Sequence, residues 1–185
     1  PKLSAWKYPL PEDKEIIKID RVIIDVDNAK VIRLKIPPDQ HRGTLSDDIS
    51  SSGTYDDNVW SDDATKLAFI STSRDHKEEK VRIADATTGD VKEIFDEKVA
   101  TQYESGQGAI NFKYLKPTNE IIWYSERSDW GHLYLYDANT GKLKNQITKG
   151  DFVVTRLLKV DEKNRVLYFE ANGREPGRDP YFSHF

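Results

Sequence analysis

The sequence predicts an all-β fold assembled from repeated antiparallel units. Three observations predict it: a recurring strand–Asp–turn–strand phrase, a matching strand–turn–strand phrase upstream of it, and no segment in which helical spacing competes well. The clearest copies of the first phrase are Val81-Arg82-Ile83-Ala84-Asp85-Ala86-Thr87-Thr88-Gly89-Asp90-Val91 and Leu133-Tyr134-Leu135-Tyr136-Asp137-Ala138-Asn139-Thr140-Gly141-Lys142-Leu143. A degenerate copy runs Arg21-Val22-Ile23-Ile24-Asp25-Val26-Asp27-Asn28-Ala29-Lys30-Val31. Each has a β-branched or aromatic strand, a polar turn opened by Asp, and a second strand. Gly in two of the turns supplies the positive φ that a tight hairpin needs. The Asp anchors at 25, 85 and 137 lie 60 and then 52 residues apart, an uneven period of the kind blades and arrays show.

The upstream halves are Val59 to Ser71, Phe112 to Ser125 and Leu157 to Phe169. In all three a short strand enters a charged turn and leaves as a more hydrophobic strand. Upstream and downstream halves together give four antiparallel strands per unit, the make-up of a β-propeller blade. The expected division is three approximate blades, residues 1–58, 59–110 and 111–185, within one fragment of a larger ring. Asp90 to Tyr103 places Val91, Ile94, Phe95 and Val99 near helical spacing, but it follows the Gly89 turn in the position of a blade's outer strand, so strand is expected. Pro37-Pro38 and Ser50-Ser51-Ser52-Gly53 mark breaks, and Leu45 to Asn58 reads as a long polar loop.

Composition bounds the function. A chain of 185 residues is long enough to bury roughly 70% of its unfolded surface. It is polar, with 37% hydrophobic and 32% charged residues and a mean hydropathy of −0.73, yet 11% aromatics are too many for a typical disordered chain. A net charge of −4 with mixed signs argues against an electrostatic nucleic-acid binder. Apolar runs of only a few residues argue against a transmembrane helix or a secretory segment. The absence of Cys removes disulfides, thiolate zinc sites and cysteine nucleophiles, and the absence of Met suggests a processed chain or a piece of a longer one.

Four segments, Ser71-Thr72-Ser73-Arg74-Asp75-His76-Lys77-Glu78-Glu79, the run Trp123 to Asp137, Gln146 to Gly150, and Gly173-Arg174-Glu175-Pro176-Gly177-Arg178-Asp179-Pro180-Tyr181, together resemble one family. It is the dipeptidyl peptidase IV family of prolyl oligopeptidase-clan serine peptidases, and the likeness falls in its N-terminal β-propeller, from Trp6-Lys7-Tyr8-Pro9 to Phe185. The resemblance implies an eight-bladed propeller followed by a C-terminal α/β-hydrolase domain, with about three blades present here. It implies removal of N-terminal dipeptides with Pro or Ala second, a propeller that restricts access and holds the peptide's amino terminus, and a bacterial periplasmic or secreted setting. The implied partners are a peptide substrate and the hydrolase domain. No Gly-x-Ser-x-Gly elbow occurs, so the chain alone should be catalytically inactive. The family's paired-glutamate helix has no clear counterpart, because Glu78-Glu79 falls in a blade hairpin.

Residue by residue, no catalytic group, cofactor site or metal site is expected. His41, His76, His132 and His184 accompany no nucleophile and share no metal-like spacing. The pairs Asp47-Asp48, Asp56-Asp57 and Asp62-Asp63 read as turn formers rather than a cation site. Arg74-Asp75 and Arg178-Asp179, with Arg127 and Asp129 near the same pattern, read as salt bridges at blade turns. Trp6, Trp60, Trp123 and Trp130 read as blade packing. Tyr103-Glu104-Ser105-Gly106-Gln107-Gly108 does not recur and joins two blades, where propeller loops often meet ligands, so Tyr103, Glu104 and Ser105 are the candidate substrate-binding residues. The rival reading is a non-enzymatic β-propeller binding module for a protein or glycan. Blade faces left without neighbours imply self-association.

Overall fold

Alternation of inward and outward side chains, rather than length, sets the strands of this molecule. A computed structural model describes residues 2–3, 10, 12–40, 57–105 and 110–185. Two four-stranded antiparallel meanders form its centre. The first contains β5 (Asn58–Trp60), β6 (Lys66–Thr72), β7 (Glu78–Asp85) and β8 (Val91–Lys98) in spatial order β5-β6-β7-β8. The second contains β9 (Phe112–Leu115), β10 (Glu120–Ser125), β11 (His132–Asp137) and β12 (Leu143–Gln146), in the same order of strands. A three-stranded sheet follows, made of β13 (Val153–Asp161), β14 (Val166–Asn172) and β15 (Ser183–His184). Before the meanders, β2 (Val22–Asp25) pairs with β3 (Lys30–Arg33), and β1 (Lys18–Ile19) with β4 (Asp39–Gln40). Lys116–Thr118 is a single 3-10 turn, and among the described residues no helix is long and apolar enough to cross a membrane.

The fold is the all-β, partial propeller expected from the repeats, and Asp90 to Tyr103 does contribute a strand, β8. The interval 111–185 holds two sheets, β9–β12 and β13–β15. Most of Leu45 to Asn58 lies outside the described residues; Asn58 itself opens β5. Within the third upstream phrase, Leu157 to Phe169, Asp161 ends β13 and caps the turn into β14.

The sheets stack face to face. Ile23 and Leu34 pack on Leu67, Phe69 and Ala84 of the first meander. Its opposite face, with Ala68, Ile70 and Val81, packs on Tyr114, Ile121, Trp123 and Tyr136. The second meander then turns Ile122, Tyr124, Leu133 and Leu135 toward Val154 and Ala171, with Leu167 and Phe169 alongside. Successive residues on one strand therefore serve different interfaces, which is the two-residue period of a sheet covered on both sides.

The Asp anchors act as turn formers. Asp85 Oδ1 accepts from the backbone N–H of Thr87 (2.9 Å) and Thr88 (3.0 Å), and Asp137 Oδ1 from those of Asn139 (2.9 Å) and Thr140 (2.8 Å). Asp25 and Asp161 hold Asn28 and Asn164 in the same way, through N–H bonds of 3.1 and 3.0 Å. Hydrogen bonds favour the carboxylate and hold all four groups below their ordinary range. The Lys66 ammonium contributes most at Asp85, the side-chain amides of Asn28 and Asn164 at Asp25 and Asp161, and the Thr140 N–H at Asp137, with the other turn N–H bonds adding to them.

Arg21 anchors the first strands. Its guanidinium donates to Asp39 (3.1 Å), Asn58 (3.0 Å), Asp57 (3.2 Å) and the carbonyl of Ile70 (3.0 Å), over the ring of Phe69. Burial pushes the Asp57 carboxyl above its ordinary value even beside this arginine.

Candidate functional site

The antiparallel meanders place alternate turns at one end of the sheets. Residues 73–77, 126–131 and 147–152 connect strands there, and residues 99–105, with Tyr103, Glu104 and Ser105, continue from β8 at this end.

A carboxylate lies at its centre. Glu97, near the end of β8, accepts from Trp123 Nε1 (2.6 Å), Ser125 Oγ (2.5 Å) and the Arg127 guanidinium (2.6 Å). The alternation of β8 sends Glu97 inward while Lys98 points to solvent. Arg127 lies 4.8 Å above the ring of Tyr134 and 5.7 Å from that of Tyr136. Burial opposes the arginine's charge, but Glu97 outweighs it and raises the guanidinium pKa. Trp123 is enclosed by Tyr103, stacked at 5.3 Å, and by the edges of Phe95 and Phe112.

Tyr103 and Ser105 are buried. The Tyr103 hydroxyl donates to the carbonyl of Tyr124 (2.7 Å), and its backbone N–H to that of His76 (2.7 Å). Burial, with Glu97 adding to it, pushes that hydroxyl well above the ordinary tyrosine range, so it stays protonated. Ser105 Oγ accepts from the backbone N–H of Asn111 (2.9 Å), whose Oδ1 accepts from Leu157 N–H (2.6 Å). These two residues fasten the segment to the turn at 73–77, to the second meander and to β13. Glu104 alone of the three faces solvent, bonded to Gln102 (2.9 Å). Gly106, Gln107 and Gly108 lie outside the described residues.

Beside Glu104, exposed Glu126 accepts from the Tyr124 hydroxyl at 3.4 Å. Burial first, then the charges of Glu126 and Glu104, raise that hydroxyl above its ordinary range. Two exposed carboxylates thus lie near the Tyr124 hydroxyl, at the end of the sheets that also carries Arg127 and the exposed indole of Trp130. A rim of this kind can hold a peptide's ammonium group. Glu97 and Glu126 escaped the sequence reading. Glu97 sits in a run that reads as an ordinary outer strand, and Glu126 in one that reads as a hairpin turn.

The arginine-turn reading is corrected. Arg74 donates to the carbonyls of Asp13 (2.6 Å) and Leu10, while Asp75 accepts from Ser73 Oγ (2.5 Å). Arg127 pairs with Glu97 across the sheets rather than with Asp129. The shared spelling hides different partners, because the neighbouring segments differ at each turn. Trp123 is core, whereas Trp60 and Trp130 are exposed, and Trp6 lies outside the described residues. His132 is buried between Thr148 Oγ1 and the Gly150 carbonyl, both at 3.0 Å, a structural role. His41 and the pair Asp47-Asp48 fall outside the described residues. Asp63 caps its turn through Thr65 N–H (3.1 Å). Among the described residues no three His, Cys, Asp or Glu side chains gather as metal ligands would.

Four-stranded meanders stacked through apolar faces, with a polar rim at one end, define an arc of β-propeller blades. Residues 1–183 match the model of the dipeptidyl peptidase IV (DPP IV) N-terminal region, and the chain belongs to that family. A dipeptidyl peptidase 4 from Arthroderma otae is 40% identical over 65 residues, 34% of this chain and 8% of that protein. One from Trichophyton equinum is 35% identical over 65 residues, with the same coverage of 34% and 8%. The solved dipeptidyl peptidase 4 of Porphyromonas gingivalis superposes with a TM-score of 0.63 at 20% identity, over 85% of this chain and 20% of that one. A dipeptidyl aminopeptidase IV structure from Bacteroides ovatus gives 0.62 at 22% identity, over 80% and 22%. TolB of Acinetobacter baumannii shares the fold at a TM-score of 0.51 and 16% identity, over 84% and 32%. The matched region is thus a small part of each relative.

Proposed function

We propose that this chain is the non-catalytic propeller portion of a dipeptidyl peptidase IV-like serine exopeptidase. It gates access and positions peptides for removal of N-terminal dipeptides by an α/β-hydrolase domain outside these residues. The family match across residues 1–183 carries the reading. The lack of a Gly-x-Ser-x-Gly elbow in the 185 residues supports it, since acyl transfer then needs a nucleophile from elsewhere.

In this reading the arc contributes orientation. A peptide held by its free amino end reaches the serine without the entropic penalty of random encounter. Glu104 and Glu126 are the groups suited to that ammonium, while buried Tyr103 and Ser105 fix the segment that presents Glu104. The parent enzyme works in the periplasm or is secreted.

The test has two parts. The reading frame after Phe185 should encode Gly-x-Ser-x-Gly, then Asp, then His; an immediate stop codon sinks the proposal and leaves the non-enzymatic binding module. The full polypeptide should release p-nitroaniline from Gly-Pro-p-nitroanilide, and the 185-residue chain should not.

A further inference from the structure

The two meanders differ at a pair of neighbouring positions beside the rim. Ile70 and Tyr124 each stand four residues after the start of the second strand, β6 or β10, and each packs toward the sheet that follows. Glu79 and Gly131 each stand six residues before the Asp anchor, Asp85 or Asp137. Where the first meander has isoleucine and glutamate, the second has tyrosine and glycine. The two differences belong together. Gly131 lies two residues before Leu133, the cross-strand partner of Tyr124, and so on the same face. A Cβ at position 131 would fall 1.8 Å from the Tyr124 hydroxyl oxygen. The φ of Gly131 is not positive, so this glycine answers the tyrosine and not the turn.

Packing does not call for that hydroxyl, since Ile70 fills the aligned place with carbon alone. Tyr124 is 1% exposed, so its oxygen has left water and needs a partner. Among the described residues that partner is Glu126, at 3.4 Å. The contact is long for an O–H···O bond, a length that functional contacts often have before substrate tightens them. Burial, with the charges of Glu126 and Glu104, keeps the hydroxyl protonated and therefore a donor to a carboxylate. We infer, on the reading of Glu104 and Glu126 given above, that Tyr124 is a positioning residue: its hydroxyl orients the Glu126 carboxylate for a peptide's ammonium group, and Gly131 provides the room. Glu126 is exposed and on a turn, so it would lose rotamer freedom on gripping a ligand. A donor fixed in the core restricts that freedom beforehand.

Kinetics of the full polypeptide on Gly-Pro-p-nitroanilide test it. Tyr124→Phe should raise KM several-fold with kcat unchanged, because the lost contact bears on holding the substrate and not on the bond that breaks. Glu126→Ala should raise KM at least as far. The double variant should match Glu126→Ala alone, since without Glu126 the hydroxyl has nothing to orient. A tyrosine with a merely structural role would add its effect to that of Glu126→Ala. Circular dichroism checks folding, and Tyr124→Ile, which copies the first meander, is a second variant with the same expected outcome. An unchanged KM in Tyr124→Phe, or a double variant in which the two single effects multiply, overturns the inference and leaves the ammonium site standing. An unchanged KM in Glu126→Ala, or a wild-type polypeptide that releases no p-nitroaniline, overturns the underlying reading and the inference with it.

Discussion

Gly141, in the turn between β11 and β12, lies against the carbonyl of Ile94 in β8, so that a Cβ on the glycine would fall 2.0 Å from that oxygen. Gly89 makes the same approach one unit earlier, where a Cβ would meet the Arg33 carbonyl at 2.4 Å. Each turn glycine therefore serves two ends: a left-handed backbone, φ +69° and +74°, and the docking of one sheet on the strand before it.

Gly141→Ala should accordingly destabilise the fold by about 2–5 kcal/mol, left-handed strain plus overpacking. Gly177→Ala separates the two contributions. Its φ is +77° but no heavy atom lies within 4 Å, so it should lose only about 1–2 kcal/mol. Urea denaturation of the three proteins checks the order. Equal losses would mean that the close approach to Ile94 contributes nothing.

Glu97 gives a second test. Its carboxylate accepts from an indole, a hydroxyl and a guanidinium, and truncation leaves Trp123 Nε1 and Ser125 Oγ buried without their acceptor. Glu97→Ala should destabilise by about 2–4 kcal/mol, since the broken charge pair is mostly buried. Arg127→Ala should cost less, because the arginine's side chain is partly exposed. Thermal unfolding of the two variants, compared with the double variant, measures their coupling.

These two relationships mark the limits of what the sequence makes legible. The repeated Asp and Gly anchors reveal hairpins because turn chemistry is local: Asp137 needs only residues two and three positions onward to form its bonds. The meanders follow from those hairpins and from alternation along each strand. Glu97 meeting Trp123 and Arg127 depends instead on how two sheets stack, and nothing within a few residues of it records that. The same holds for Arg74, whose partners lie more than 60 positions away. Of the proposed pocket residues, Glu104 does reach the surface. Tyr103 and Ser105 turn inward because an aromatic and a small hydroxyl fill the joint between sheets.

Acid should weaken the fold through Glu120. Burial alone would raise its carboxyl, but hydrogen bonds from Arg165 and Lys144 outweigh that and hold it at about 2, below an ordinary value of 4.5. A depressed folded-state pKa means that the unfolded chain takes up the proton first. The stabilisation is therefore complete above about pH 5 and is lost as pH falls from there toward 2. Glu120→Gln should flatten stability against pH in that window and lower it at neutral pH. Urea midpoints between pH 7 and pH 2.5 give the slope, and an unchanged slope in the variant would exclude Glu120 as its source. Asp57 works in the opposite sense. Its raised pKa makes the folded state take up a proton first, so Asp57→Asn should steepen the net acid loss.

The interblade segment separates structure from binding within three residues. Tyr103→Phe keeps the ring on Trp123 but removes the donor to the Tyr124 carbonyl, so stability should fall by about 1–3 kcal/mol. Glu104→Ala removes an exposed carboxylate whose described hydrogen bond is to neighbouring Gln102, and stability should change by less than about 0.5 kcal/mol. In the full-length enzyme of the proposed function, the order should reverse for binding. Glu104→Ala should raise KM for Gly-Pro-p-nitroanilide several-fold, and Glu126→Ala should do the same, since both carboxylates border the Tyr124 hydroxyl. Tyr103→Phe should alter KM only as far as it loosens the segment. If Glu104→Ala destabilises as much as Tyr103→Phe and leaves KM unchanged, the segment is a joint between blades and the peptide's ammonium is held elsewhere.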